Sequence, residues 1–321
     1  MKNIIEIQNL TVEYKIKEGL VHALTGVELH IQKGEAIAIV GESGCGKSTL
    51  ASALINLVAL NAVKSGTVKI NDMEILSAGK KVLENIRGKE IGIIFQEAGA
   101  ALNPVFTVKE QIEETITAHF GKLEKPELEK RGLALLEETG LNDRERIYKA
   151  YPHQLSGGQQ QRVMIAIALS CNPEILIADE PTTALDVTVQ AQIMALLKKL
   201  KKDRNLTLIL ITHDLHLAVD MAQRIVVMYA GEIVEEGKIS QEKDAMHPYS
   251  RALFELIPDI NAEARDFKII PGEVPDMTTK ENKCRFFGRC ATAKPKCGTM
   301  HPEYEKVKEG HAVRCFYPVK D

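Results

Sequence analysis

The chain has 321 residues, 45% of them hydrophobic and 26% charged, the balance of a soluble globular protein with room for one large domain and a small appendage. Its net charge of −3 argues against a nucleic-acid binder that works by bulk positive charge. No apolar run approaches the roughly 18 residues that cross a bilayer, and the N-terminus lacks a signal-peptide pattern, so work at a membrane would need a partner that spans it.

In chain order, the first expected elements are strands. Ile5/Ile7, Leu10/Val12/Tyr14 and Val27/Leu29/Ile31 alternate with a period of two, which predicts one buried face. Ala36–Val40 is apolar throughout, as in a buried parallel strand, and Gly41 ends it. A helix is predicted from about Lys47 to Leu60. Further apolar runs follow at Ile91–Phe95, Ile175–Ala178, Leu206–Ile211 and Ile225–Met228, with helical patterns between them. The expected core is therefore a largely parallel sheet flanked by helices. From about Pro104 to Leu155 the chain is rich in helix formers, which predicts an inserted helical subdomain (about 104–165 with the helix that follows). Beyond Gly237 the alternation fades, and Pro248, Pro258, Pro271, Gly272 and Pro275 lead into a crowd of cysteines. Residues 238–321 are thus expected to form a small second domain, after a first over 1–237, that depends on something other than a hydrophobic core.

Three stretches carry chemistry. Gly41-Glu-Ser-Gly-Cys-Gly-Lys-Ser48 lies between the buried strand and the helix, the context a phosphate-binding P-loop requires. Gly41, Gly44 and Gly46 let the backbone wrap phosphates, with Ser43, Cys45 and Thr49 in the same loop and helix start. Lys47 is expected to reach the β- and γ-phosphates, and Ser48 to ligate Mg²⁺. A chance glycine-rich turn is the alternative, and the strand–loop–helix context weighs against it. Ile175-Leu-Ile-Ala-Asp-Glu180 is an apolar strand ending in two acids. Asp179 would hold Mg²⁺, and Glu180 would orient or deprotonate an attacking water. Alone such acids read as a solvated turn; beside a P-loop they read as catalytic. In Leu155-Ser-Gly-Gly-Gln159, Ser156 and Gln159 have capping-box spacing, and a capped helix start with Gly157 and Gly158 is also an anion site. Cys45 raises a side question: a thiol at a helix start can be reactive, or can simply be a small residue in a tight loop.

With that pentapeptide the chain resembles the ABC ATPases over essentially its whole length. The resemblance implies an α/β fold, with a P-loop (RecA-like) parallel-sheet core and an N-terminal antiparallel β subdomain. It also implies the helical insertion and a small cysteine-rich C-terminal domain. Gln96 is similar to the family's Q-loop glutamine, joining Ser48 and Asp179 at Mg²⁺; Ala184-Leu185-Asp186 to its D-loop; and His213 to the switch histidine. Tyr14 matches the aromatic that stacks on adenine. Without the family, Gln96 reads as a surface amide, His213 as a structural histidine and Tyr14 as an ordinary strand residue. The resemblance further implies that residues 155–159 complete the ATP site of an opposing subunit, identical or homologous, in a head-to-tail dimer. ATP would close that dimer and hydrolysis reopen it.

The stretch Phe95-Gln-Glu-Ala-Gly-Ala-Ala-Leu-Asn-Pro-Val-Phe-Thr-Val108 resembles the oligopeptide/dipeptide importer group, although Glu97-Ala98 stand where that group more usually has Asp-Pro. His247-Pro248-Tyr249 and Pro271-Gly-Glu-Val-Pro275 resemble the same group. This implies two transmembrane permease subunits, an external peptide-binding protein, a peripheral place on the cytoplasmic face of the membrane and no nucleic acid. Import of nickel or another small solute is an alternative. So is a soluble ABC ATPase outside transport, against which a single cassette without a heptad run weighs.

Cys284, Cys290, Cys297 and Cys315 are spaced C-x5-C-x6-C-x17-C and lack the tight pair usual in structural zinc sites. Four thiolates in a loop-rich segment suit a [4Fe–4S] cluster, which the resemblance implies at this place. Zinc helped by His301 and His311, and free thiols, remain open from the spacing.

Overall fold

The computed structural model describes residues 2–183, 185–256, 270–280 and 282–319, so Ala184 and Pro258 lie outside the described residues. The chain begins with β1 (Asn3–Ile16), β2 (Gly19–Gln32), β3 (Ala36–Val40), α1 (Lys47–Leu54), β4 (Ala62–Ile70) and β5 (Met73–Glu74). Its middle holds α2 (Lys80–Ile86), β6 (Ile91–Ile94), α3 (Ala98–Ala101), α4 (Val108–Phe120), α5 (Lys125–Glu138), α6 (Arg144–Lys149), α7 (Gly157–Leu169), β7 (Ile175–Asp179), α8 (Val187–Asp203) and β8 (Thr207–Ile211). It closes with α9 (Leu215–Met221), β9 (Arg224–Tyr229), β10 (Glu232–Gly237), α10 (Pro248–Glu255), β11 (Glu305–Lys308) and β12 (His311–Val313). Two compact units result: one from Met1–Gln32, Ala36–Ser77 and Ile211–Asp321, the other from Lys33–Glu35 and Ala78–Leu210.

In the first unit, β2-β1-β4-β5 form an antiparallel sheet. Ile5, Ile7, Leu10 and Val12 are fully buried, and the alternation shifts register between Ile7 and Leu10, where Asn9 adopts φ 48°. A second set of strands runs in the order β11-β12-β10-β9-β3. Only β3 and β9 are parallel within it, Ile39 opposite Val226. Both belong to the parallel core expected from the sequence, and β10, β12 and β11 extend it antiparallel. The reason is connection length: Ala230-Gly231, both at positive φ, turn β9 straight back into β10, and a two-residue link allows only an antiparallel partner. β12 then pairs with β10 antiparallel, Val313 opposite Glu235. The predicted helix to Leu60 also stops early. Asn56 takes φ 50° and donates from Nδ2 to the Ile75 and Leu76 carbonyls at 3.0 and 3.3 Å, drawing the chain out of the helix after Leu54.

The second unit carries β8-β7-β6 in that order, with β6 and β7 parallel. Its helical insertion forms as expected. Thr107 caps α4 through a reciprocal box with Glu110, and Val108, Ile112 and Ile116, four residues apart, bury one stripe with Leu136 and Val163. Tyr148 is buried in the same cluster and gives its hydroxyl proton to Glu113 at 2.9 Å.

Candidate nucleotide site and cysteine cavity

In the first unit, β3 delivers the chain into the P-loop. Gly41 sits at φ 152°, where a Cβ would lie 2.2 Å from the Met228 carbonyl oxygen, so no larger residue fits. Ser43, Gly44 and Ser48 are exposed, while Cys45 and Lys47 are buried. The Lys47 ammonium curls back into the loop, donating to the carbonyls of Gly41 at 2.8 Å and Glu42 at 3.0 Å. The cation thus lies against the loop's own first two carbonyls. Thr49 follows in the first turn of α1. Cys45 is 1% exposed, and burial pushes its thiol pKa up despite the neighbouring Lys47, which corrects the reactive-thiol idea.

His213 is exposed in the short turn between β8 and α9. The Thr212 amide donates to the Ile39 carbonyl of β3 at 3.2 Å, so this turn starts beside the strand that feeds the P-loop. Asp214 caps α9 from the other side by accepting the Leu217 amide. Tyr14 is half-buried in β1, opposite Val21 and Ala62.

In the second unit, Asp179 ends β7 and is 9% exposed. Glu180 follows at φ 45°, a left-handed conformation that costs a non-glycine residue roughly 1 kcal/mol or more and is typical of functional turns. Gln96 lies two residues beyond the end of β6 rather than within the strand. Its amide donates to Glu180 Oε2 at 3.0 Å, and Thr183 Oγ1 donates to the same oxygen at 2.9 Å. Thr183 escaped notice in the sequence; its only signal is a hydroxyl three residues past the acid.

Ser156 caps α7 by accepting the Gln159 amide, while Gln159 Oε1 accepts the Ser156 amide. Leu155 is buried, Ser156 and Gly157 are exposed, and a Cβ on Gly158 would meet Val189 of α8 at 2.8 Å. Asp186 caps α8, and Leu185 is half-buried beside it.

Cys284, Cys290, Cys297 and Cys315 line one small cavity in the first unit, with His247, Pro248, Phe286, Phe287, Thr292, Phe316 and Tyr317. The amide of Cys284 donates to the carbonyl of Cys297 at 2.9 Å. Burial, and after it the neighbouring cysteines, push the thiols of Cys284 and Cys315 up to about 12 and about 11. Among the described residues no three His, Cys, Asp or Glu side chains converge closely enough to hold a single metal ion. His301 and His311 do not line the cavity: their Nε2 atoms meet Glu232 and Glu235, at 3.0 and 2.7 Å. His301 lines an adjoining cavity that it shares with Cys284.

His247-Pro248-Tyr249 opens α10. His247 Nδ1 accepts the Tyr249 amide, and the amides of Met246 and His247 donate to Glu235, which is fully buried in β10. Burial drives the His247 imidazole down to about 4. Burial also raises the Glu235 carboxyl, but hydrogen bonds from His311 and those two amides outweigh it and hold the group below its ordinary value.

Residues 24–183 match the family model described as ABC transporter, and residues 232–297 match the one described as the C-terminal region of oligopeptide/dipeptide transporters. The oligopeptide transport ATP-binding protein AppD of Bacillus subtilis is 43% identical over 98% of this chain and 97% of its own. The dipeptide transport ATP-binding protein DppD of the same organism is 38% identical over 98% of this chain and 95% of its own. The structure of the dimeric ATP-binding cassette MJ0796, bound to ADP and phosphate, is 37% identical with a TM-score of 0.66, over 73% of this chain and 98% of that one. The fold is therefore the ABC ATPase P-loop α/β fold with an antiparallel N-terminal sheet and a helical insertion. The chain belongs to the oligopeptide/dipeptide transporter family of ABC ATP-binding subunits, which are ATP-hydrolysing proteins.

Proposed function

We propose that this chain hydrolyses ATP to drive import of oligopeptides or dipeptides, docked from the cytoplasmic face onto two permease subunits that receive cargo from an external binding protein. The observation that carries the cargo class is the match of residues 232–297, which contain His247, Tyr249 and three of the four clustered cysteines, to the C-terminal region of peptide transporters. Among the described residues no helix is long and apolar enough to cross a membrane, which suits a peripheral subunit.

In this reading the P-loop and Lys47 bind the phosphates, and Tyr14 stacks on adenine. Ser48, Asp179 and Gln96 hold Mg²⁺, whose charge offsets that developing on the transferred phosphoryl group. Glu180 orients the attacking water and accepts its proton, its carboxylate held by Gln96 and Thr183. His213 meets the γ-phosphate. Leu155–Gln159 completes the site of the opposing subunit, identical or homologous. The exposure of Ser156 and Gly157 at the start of α7, and the dimeric form of the related cassette, support that head-to-tail pairing. The domain division proposed is 1–237 for nucleotide and 238–321 for the C-terminal extension.

Cys284, Cys290, Cys297 and Cys315 would hold a [4Fe–4S] cluster, chiefly as a structural staple. The lining of one cavity by all four cysteines is what supports that reading. Such a group supplies strong cross-links and one-electron redox chemistry when bound.

The test is the purified transporter assembly in lipid vesicles. Peptide-loaded binding protein should stimulate ATP hydrolysis and peptide uptake; stimulation by nickel and not by peptide would overturn the cargo. Anaerobically purified protein should carry about four iron atoms per chain. Stoichiometric zinc, or no metal, would overturn the cluster while leaving the ATPase intact.

A further inference from the structure

The cysteine segment grips the P-loop. Arg289, which immediately precedes Cys290, sends a two-pronged guanidinium to Glu42, the second residue of the P-loop: Nη1 donates to Oε2 at 2.7 Å and Nη2 to Oε1 at 3.0 Å. The Arg289 side chain is 7% exposed, and Nε donates to the Pro271 carbonyl at 2.9 Å, so the fork has little freedom. The other end of Glu42 is also held, because its amide donates to the Tyr249 hydroxyl at 3.0 Å. Arg285, next to Cys284, closes a second path. It donates to the Ala230 carbonyl and, at 3.0 Å, to Thr25, while the adjoining Gly231 amide donates to the Cys45 carbonyl inside the P-loop at 2.9 Å.

Packing joins the two places as well. Phe286, between the two arginines, lines the cysteine cavity and lies 5.3 Å from the ring of Tyr229 and 5.4 Å from that of Tyr249. Arg289 in turn sits over the Tyr229 ring at 5.7 Å. Buried aromatic contacts of this kind transmit displacement because the interior is close-packed. A staple confined to stabilising the chain's end would not require a charged clasp on the phosphate loop.

On the P-loop reading above, we propose that Arg289 is a positioning residue for the nucleotide site, holding Glu42 so that nucleotide affinity depends on the fold of the cysteine segment. Loss of order around Cys284 and Cys290 releases Glu42, and the loop then has to pay its own ordering entropy when phosphates bind. Lys47 and the loop amides are chemically unchanged and are ordered again once phosphates bind, so the effect falls on affinity rather than on the chemical step.

The test uses the full chain, a fluorescent ATP analogue and steady-state hydrolysis. Arg289→Gln and Glu42→Gln should each weaken analogue binding at least about fivefold, with KM for ATP rising and kcat nearly unchanged. The double variant should be no weaker than either single one, because both remove the same link. Arg289→Lys, which keeps charge but loses the fork, should fall between. Glu42→Gln leaves the cysteines untouched, so its iron content should match the wild type, while the melting temperature falls because the nearly buried Arg289 loses its counter-charge. Wild-type affinity in both single variants would overturn the clasp, as would fully additive losses in the double. Wild-type protein that binds no nucleotide, or Lys47→Ala binding as well as wild type, would overturn the P-loop reading itself and the clasp with it.

Discussion

The P-loop and the cysteine segment are both irregular stretches, yet they are held in opposite ways. The P-loop takes its path mostly from backbone, with Glu42 the exception: β3 before it, α1 after it, Gly41 pressed against Met228, and Lys47 bonded to carbonyls five and six residues back. The cysteine segment is shaped by side chains that reach across the sequence. Arg289 finds Glu42, 247 residues away, and Arg285 finds Thr25, 260 residues away. A loop specified locally stays recognisable as a short pattern. One specified by distant partners depends on the rest of the fold being in place.

The sharpest break of that comparison is Lys47→Ala. It removes the cation while leaving the Glu42 contacts with Arg289 and Tyr249 in place, so nucleotide binding should fall by about two orders of magnitude or more while the melting temperature barely moves. An isothermal titration checks the first and calorimetry the second.

The cysteine side should instead respond to pH. Burial holds His247 neutral down to about 4, against 6.5 when unfolded. Its contribution to stability is full above pH 6.5 and is lost as pH falls toward 4, by about 3 kcal/mol in all. The depressed carboxyl of Glu235 loses stability in the same direction as acid is added. Chemical denaturation between pH 7 and 4 should show this slope, and His247→Asn should flatten it. In metal-free protein, Cys284 and Cys315 should react with iodoacetamide at pH 7 about a thousandfold and about a hundredfold more slowly than a free thiol, as the loss of thiolate requires. The smallest effect is expected at Gly158→Ala, where a methyl must displace Val189, costing about 1–2 kcal/mol of stability.

How much was legible follows the same division. β3 was read to the residue, because a fully buried strand is apolar throughout, and Ser156 with Gln159 announced the cap of α7 by spacing alone. β10 was not read: Glu232, Glu235 and Glu236 look solvated, yet Glu232 and Glu235 are buried against Arg285, His301 and His311. Their partners lie about 50 to 80 residues further on, beyond any local pattern. β11 and β12 are four and three residues long, and β11 is mostly charged, so alternation had nothing to act on. The pairing of Gln96 with Glu180 was half legible. Each was named a site residue, but only the fold of the second unit places one amide on the other's carboxylate.

The role of Glu180 is tested by phosphate release from Mg-ATP by wild-type protein and Glu180→Gln, measured side by side with nucleotide binding. Hydrolysis should be lower by about 10²- to 10⁴-fold with binding retained, and an ATP-trapped dimer should appear on a sizing column. Wild-type turnover in Glu180→Gln would contradict that role, because the carboxylate held by Gln96 and Thr183 would then have no part in activating water.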